Sequence, residues 1–381
     1  MNVLDVFGDF NNPATGTRSW RTILTFQTGH GANGASPAAY ALDVTDPTAP
    51  VVVWEYTKPT SPGVKDFGTG LTVAAGPVLL NGQRTNVVVL ETNNGGSGTT
   101  GVVWTALSHE TGAELWQRGY QYPSPPRGNS ADNPLPTTGI PGGAVTADLA
   151  GSGYVTDFVF GDLYGNLWLV AASTGLTRAA NDESTPLFSF STNKHPIGAP
   201  PAIYSNGSKQ FAAFVSGGYA DPTANSWAAT TQYIIAAKLD TSATSTVTEA
   251  TTACMQASCA LAVNTTLGNV GATGDKGFAQ ALVVGNQLFI TTDSTDVNSS
   301  SYGTTSNTGH LTAINLATGT ATTAVVINSG GTSLVNSSTT LFSASATKQQ
   351  QTATSATSTT GTRVDLTTAT LLKRALWLRT E

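Results

Sequence analysis

The chain has 381 residues, of which 10% are charged, 39% are apolar and 40 are glycine, and its formal net charge is −6. An average soluble protein is about a quarter charged, so this surface rests on Thr, Ser, Asn and Gly, which suit pleated strands and tight turns better than helices. The 17 Lys and Arg are thinly spread, which excludes a nucleic-acid footprint, and no run approaches the roughly 18 apolar residues of a spanning helix.

Length permits one large all-β domain, because barrels and propellers exceed the size at which other folds divide. The start, Met1–Val6, has neither the basic nor the apolar region of an export signal. The chain therefore reads as the back part of a longer precursor whose signal lies upstream. In chain order, one pattern recurs five times, at 39–56, 102–116, 165–175, 233–241 and 309–321. Each copy is an alternating apolar strand, a Thr-Gly or Asp-Pro turn, and a returning strand with an apolar or Trp residue. Further strands are expected ahead of it at 86–90, 157–160, 210–215 and 287–292. Four strands per repeat predict an all-β propeller, quinoprotein-like in repeat style, because radial repetition leaves only short edges open.

Copies lie about 60 to 75 residues apart, more than the roughly 40 to 50 of compact propeller repeats. Long insertions must therefore leave the blades, notably at 122–136 and 241–275. The propeller is expected over 1–328, followed by a Ser/Thr-rich, poorly ordered low-complexity segment at 329–362 and a closing strand region at 363–381.

Cys254 and Cys259 are the two cysteines. They are either a disulfide, which the low charge of an extracellular chain favours, or two buried thiols; alone they do not complete a zinc site. His30, His109, His195 and His310 fall in different repeats, none with a carboxylate or second His at ligand spacing, and are expected in turns or at the surface. Trp54, Trp104, Trp116 and Trp168 recur at the hairpins and read as core, whereas Trp227 sits in a polar stretch and reads as a surface contact. The Gly-rich runs at 29–34 and 93–98 read as hairpin turns, since neither opens a helix that could cradle phosphate.

The segment Thr146–Trp168, with Ser19–Phe26, Tyr40–Pro47, Pro201–Tyr219 and the ending Lys373–Arg379, resembles the C-terminal propeller of the PilC/PilY family of pilus-biogenesis and tip-adhesin proteins. That family carries a calcium loop of the form Asp-x-Asp-x-Asp-Gly-Tyr-x-Asp leading into Gly-Asp-x-x-Gly-Asn-Leu-Trp. The second half is intact here as Gly161, Asp162, Gly165, Asn166, Leu167 and Trp168. In the first half Asp148 and Tyr154 keep their positions, while Ala150, Ser152 and Thr156 stand where carboxylates are usual. Calcium affinity follows ligand charge, so the loop Asp148, Ser152, Tyr154 with neighbouring Asp157 is expected to be degenerate, with calcium weak and no other cofactor. The resemblance implies a non-enzymatic pilus assembly and adhesion factor, exported through the periplasm to the pilus tip or outer-membrane surface. Its implied partners are minor pilins or a tip complex and a host or abiotic surface. The alternative is a periplasmic quinoprotein-like dehydrogenase, although this chain lacks the adjacent cysteines of those enzymes.

Overall fold

A computed structural model of the chain describes residues 2–11, 15–28, 38–57, 73–92, 100–121, 143–162, 165–191, 195–207, 209–217, 231–242, 246–254, 259–267, 275–277, 279–293, 308–321, 325–328, 331–337, 340–345 and 362–365. Among them there is no α-helix, and hence none long and apolar enough to cross a membrane.

The strands form six antiparallel meanders, five with four strands and one with three. Sheet one is β1 (Asn2–Gly8), β2 (Ser19–Gln27), β3 (Ala39–Asp43) and β4 (Val51–Tyr56). Sheet two is β5 (Ala74–Leu80), β6 (Gln83–Thr92), β7 (Thr100–Ser108) and β8 (Glu114–Gln121). Sheet three is β9 (Ala144–Ala147), β10 (Asp157–Gly161), β11 (Asn166–Ala171) and β12 (Phe188–Ser189). Sheet four is β13 (Ala202–Asn206), β14 (Lys209–Val215), β15 (Tyr233–Lys238) and β16 (Leu261–Thr266). Sheet five is β17 (Leu282–Val284), β18 (Gln287–Asp293), β19 (Thr308–Asn315) and β20 (Val325–Asn328), and sheet six is β21 (Gly331–Ser337), β22 (Thr340–Ser345) and β23 (Thr362–Asp365). First strands of consecutive sheets meet along the centre, β1 with β5, β5 with β9, β9 with β13, β13 with β17 and β17 with β21. This is a β-propeller.

Each recurring pattern supplies the third strand of a sheet, and the strands expected ahead of it supply the second. The returning strand follows the turn at once only in sheets one and two. In sheets three, four and five it is delayed to β12, β16 and β20, because other backbone intervenes. The stretch 241–275, expected as an insertion, contains β16, whose Leu261 and Val263 are buried. The Ser/Thr-rich stretch expected to be poorly ordered contributes β21 and β22; Thr, Val and Leu keep strand propensity whatever the compositional bias.

The core is a series of interfaces between neighbouring sheets. Val6, Ile23, Ala41 and Trp54 of sheet one pack on Ala75, Val88, Leu90 and Leu107 of sheet two. Across the next interface Val87, Trp104, Trp116 and Tyr120 meet Phe158, Phe160, Trp168 and Val170 of sheet three. Every position of β10 and β11 is buried, so these central strands read as apolar runs and not as alternations.

Two fourth-strand tryptophans join neighbours in the same way. Trp54 lies against Gly112 in the β7–β8 turn, and its Nε1 donates to His109 O at 2.9 Å. Trp116 lies against Gly175 in the turn after β11, and its Nε1 donates to Ala172 O at 3.0 Å. Both glycines have positive φ, 71° and 72°. A Cβ there would stand 2.9 Å from the Trp54 ring or 2.7 Å from the Trp116 ring. The Thr-Gly signature is thus a turn and a seat for the preceding sheet's indole. Trp116→Ala is expected to lower unfolding free energy by about 3 to 5 kcal/mol, since it removes a buried indole and leaves a cavity. Denaturant titration followed by circular dichroism measures this, and a loss under 1 kcal/mol would reject the docking role.

Candidate functional site

In an antiparallel meander the turns between strands one and two and between three and four lie at one end, and all other connections lie at the opposite end. The first end carries the loop 148–156, the Trp-seating turns and the cysteine loop. The second end carries the turns between strands two and three and the crossings from one sheet to the next, while the long connections 172–187 and 239–260 lie at the first end.

At the first end, Asp148 closes its own loop. Its Oδ1 accepts from Ser152 N at 3.0 Å and Ser152 Oγ at 3.2 Å, and its Oδ2 accepts from Gly153 N at 2.6 Å. Burial works to raise the Asp148 pKa, but the donors of Ser152 and Gly153 together hold it below the usual carboxylate value. Tyr154 joins through its backbone, its N–H donating to Ser152 Oγ at 3.3 Å. Asp157 turns elsewhere: it is fully buried, takes Arg178 Nε at 2.5 Å on Oδ1 and Thr156 Oγ1 at 2.6 Å on Oδ2. Arg178 also donates to Thr156 O at 3.2 Å. The fold therefore brings Asp148, Ser152 and Tyr154 together and commits Asp157 to a guanidinium. Among the described residues no three His, Cys, Asp or Glu side chains form a group able to hold a metal ion.

The intact half of the segment is a buried hairpin. Asp162 accepts from Asn166 N at 2.9 Å, Asn166 Nδ2 at 2.8 Å and Trp168 Nε1 at 2.8 Å. Its carbonyl accepts from Ile197 N at 2.9 Å, tying the hairpin to the connection into sheet four. Asp, Asn and Trp at this spacing thus serve the fold.

Cys254 and Cys259 are joined by a disulfide, with Cα atoms 5.7 Å apart. Upstream of it the chain crosses to the neighbouring sheet: Val247 bridges Phe188 in parallel, and Ser189 N donates to Val247 O at 2.9 Å. Asn264 of β16 holds this crossing through Glu249 O at 2.7 Å and Thr251 O at 3.1 Å. The result is a strap from sheet four onto the edge of sheet three.

The three described histidines are buried, not at the surface as expected. His109 contacts Thr25 Oγ1 at 2.8 Å, and burial pulls its pKa down to about 4. At the second end, His195 Nδ1 lies 3.1 Å from Gln232 Oε1, which also accepts from Ser216 Oγ at 2.7 Å. Desolvation by burial lowers the His195 pKa, with Gln232 opposing. His310 Nδ1 stands 2.7 Å from Oδ2 of fully buried Asp275 without hydrogen-bond alignment, and Thr292 Oγ1 donates to the same oxygen at 2.8 Å. This pairing had no sequence signal, because Asp275 precedes sheet five and His310 begins its third strand. His30, Trp227, the runs 29–34 and 93–98, the stretch 122–136 and the ending 371–379 lie outside the described residues.

A propeller whose sheets join through fourth-strand indoles, with polar loops at both ends, is the class that fold and site define. No protein-family description matches the chain, and no curated protein sequence does either. Among solved structures it is similar to the Pseudomonas aeruginosa PilY1 C-terminal domain, with 16% identity, a TM-score of 0.54, and coverage of 91% of this chain and 82% of that one. The fold is PilY1-like. More distant similarities are to quinohemoprotein alcohol dehydrogenase from Comamonas testosteroni (11% identity, TM-score 0.42, 86% of this chain and 54% of that one). BamB from Moraxella catarrhalis is further still (10%, 0.30, 85% and 94%), and neither of these two carries an argument about this chain.

Two outcomes follow from the loops. Since the folded Asp148 pKa lies below the unfolded value of about 3.9, its contribution is present above that value and is lost as pH falls through the folded pKa. Asp148→Asn should therefore melt below wild type at pH 7, with the gap closing in scans below about pH 4; a pH-independent gap would contradict this. Replacing both cysteines by Ser should cost about 2 kcal/mol and speed amide exchange at Ser189, whose acceptor is in the strap.

Proposed function

We propose that this chain is a non-enzymatic binding scaffold of type IV pilus assembly and adhesion. It works outside the cell, at the pilus tip or the outer-membrane surface, with minor pilins or a tip complex as partners and a host or abiotic surface as target. The observation that carries the reading is the PilY1-like fold over 91% of the chain, taken with the Gly161–Trp168 hairpin that the sequence shares with the PilC/PilY family.

In this reading the chain works without calcium. Asp148 and Asp157 have protein donors where the related loop would use a divalent ion, and the ligand charge that sets calcium affinity is small. Millimolar Ca²⁺ is accordingly expected to leave the melting temperature unchanged, whereas a rise of several degrees absent with Mg²⁺ would show a bound ion.

The functional test is co-purification with minor pilins from the cell envelope, with piliation and surface attachment scored in a deletion strain. Recovery of pilins and loss of attachment are expected. Normal pili and attachment without this protein would overturn the reading. Stable retention of pyrroloquinoline quinone with dye-linked alcohol oxidation would put the dehydrogenase alternative in its place.

A further inference from the structure

Sheet one reaches a single turn of sheet two, 108–112 between β7 and β8, from several directions. Trp54 Nε1 donates to His109 O at 2.9 Å, and Thr25 Oγ1 lies 2.8 Å from His109 Nε2. In the loop after β1, Asp9 N donates to Glu110 Oε2 at 3.0 Å, and Arg18 Nη2 donates to Glu110 Oε1 at 2.8 Å. The turn itself is fixed from behind, His109 N donating to Asn86 O and Gly112 N to Ser108 O, each at 2.8 Å. Asn86 adds a further tie, its Nδ2 donating to Phe7 O at 3.0 Å and to Glu110 Oε1 at 2.9 Å. Whatever disturbs this turn therefore acts on the hold of sheet two over sheet one.

At its centre stands an ionisable ring in an uncharged setting. His109 is 1% exposed, its partner Thr25 is fully buried, and the Phe10 ring meets the imidazole edge-on at 6.1 Å. Among the described residues nothing bonds the other ring nitrogen, Nδ1, which is buried as well. A neutral imidazole tolerates this arrangement. An imidazolium carries two N–H donors, of which the Thr25 hydroxyl can accept one. The charged groups around the turn are turned away from the ring. Glu110 is taken by Asp9 N, Asn86 and Arg18, the Asp9 carboxylate by Asn11 and Gly16, and Glu114 by the Tyr56 hydroxyl at 3.1 Å. No carboxylate thus offsets a charge on His109, and burial is what pulls its pKa down to about 4.

We propose that this turn is an acid-released clasp: protonation of His109 favours a form in which sheet one has come away from sheet two while the other sheets stay assembled. A charge that is desolvated and half-bonded in the closed form is hydrated in the open one, so proton uptake draws the equilibrium toward opening. Above the ordinary histidine value of about 6.5 both forms are neutral and the clasp holds. Between there and the closed-form value of about 4, only the open form takes the proton, and opening gains up to about tenfold per pH unit. Below that value both forms are protonated and the gain stops. Release can be local because sheet one packs on sheet two by one face, while its other face carries Val3 and Val52 at 56% exposure. Opening uncovers Ala75, Val88, Leu90 and Leu107, now sealed by Val6, Ile23 and Ala41. Acid thereby turns an internal interface into an apolar surface available for contact.

Amide exchange of the full-length protein between pH 7.5 and 5 tests this, a window above the range in which ordinary carboxylates titrate. After correction for the intrinsic pH dependence of exchange, protection of the β2 amides is expected to fall about 25-fold across the window, whereas β10 in sheet three keeps its protection. His109→Gln, neutral throughout, is expected to abolish the fall. An equal fall in the variant would assign the effect to another group, no fall in the wild type would show that the clasp ignores protons, and a fall shared by β10 would make the loss global. Each of these overturns the proposal. If His109→Gln does not fold, the histidine ring resonances of the wild-type protein decide. The His109 ring of the closed form is expected to remain neutral down to pH 5, and its titration near about 6.5 with β2 still protected overturns the proposal.

Discussion

Face-to-face burial between neighbouring sheets is the constraint on which this molecule rests. No single meander can hide both of its apolar faces, so each sheet depends on the one before and the one after it. At the interface of sheets two and three, Trp104, Tyr120, Phe158, Phe160 and Trp168 are almost wholly buried, and each such side chain contributes about 1.5 to 3 kcal/mol on removal from water. Docking by Trp54 and Trp116 adds direction to this non-directional term. Their indole N–H groups find carbonyls only when the neighbouring turn is in register, so the same contact that seals the core also sets the angle between sheets.

Carboxylates do a second kind of work. Asp148 and Asp162 each gather N–H donors from the residues that follow and hold a reversal of the chain in place. Asp9 acts similarly in the β1–β2 loop, accepting from Asn11 N at 3.1 Å and Gly16 N at 2.5 Å. Two of the buried carboxylates, Asp9 and Asp162, thus sit where backbone donors would otherwise be unsatisfied. The Asp148 loop holds together through its own N–H groups, and Arg178 stands against Asp157.

The two ends of the propeller consequently differ in character. One carries the Asp-closed loops, the Trp-seating turns and the disulfide strap, with the long connections 172–187 and 239–260. The other carries the buried polar pairs His195–Gln232 and Asp275–His310.

What the sequence determined by itself was local: the strand runs, the Thr-Gly turns, the repeat and the turn-forming hairpin at Gly161–Trp168 follow from alternation, β propensity and short-range hydrogen bonding, which need no distant partner. From these the all-β propeller was legible. The tertiary structure decided what depends on separate segments meeting. It showed that Gly112 and Gly175 seat the preceding sheet's indoles, and that the returning strands of sheets three to five come late. It buried three histidines that looked like turn residues, brought Asp275 to His310, and turned Asp157 to Arg178. Such contacts join residues tens of positions apart, and no spacing along the chain encodes a distance across an interface.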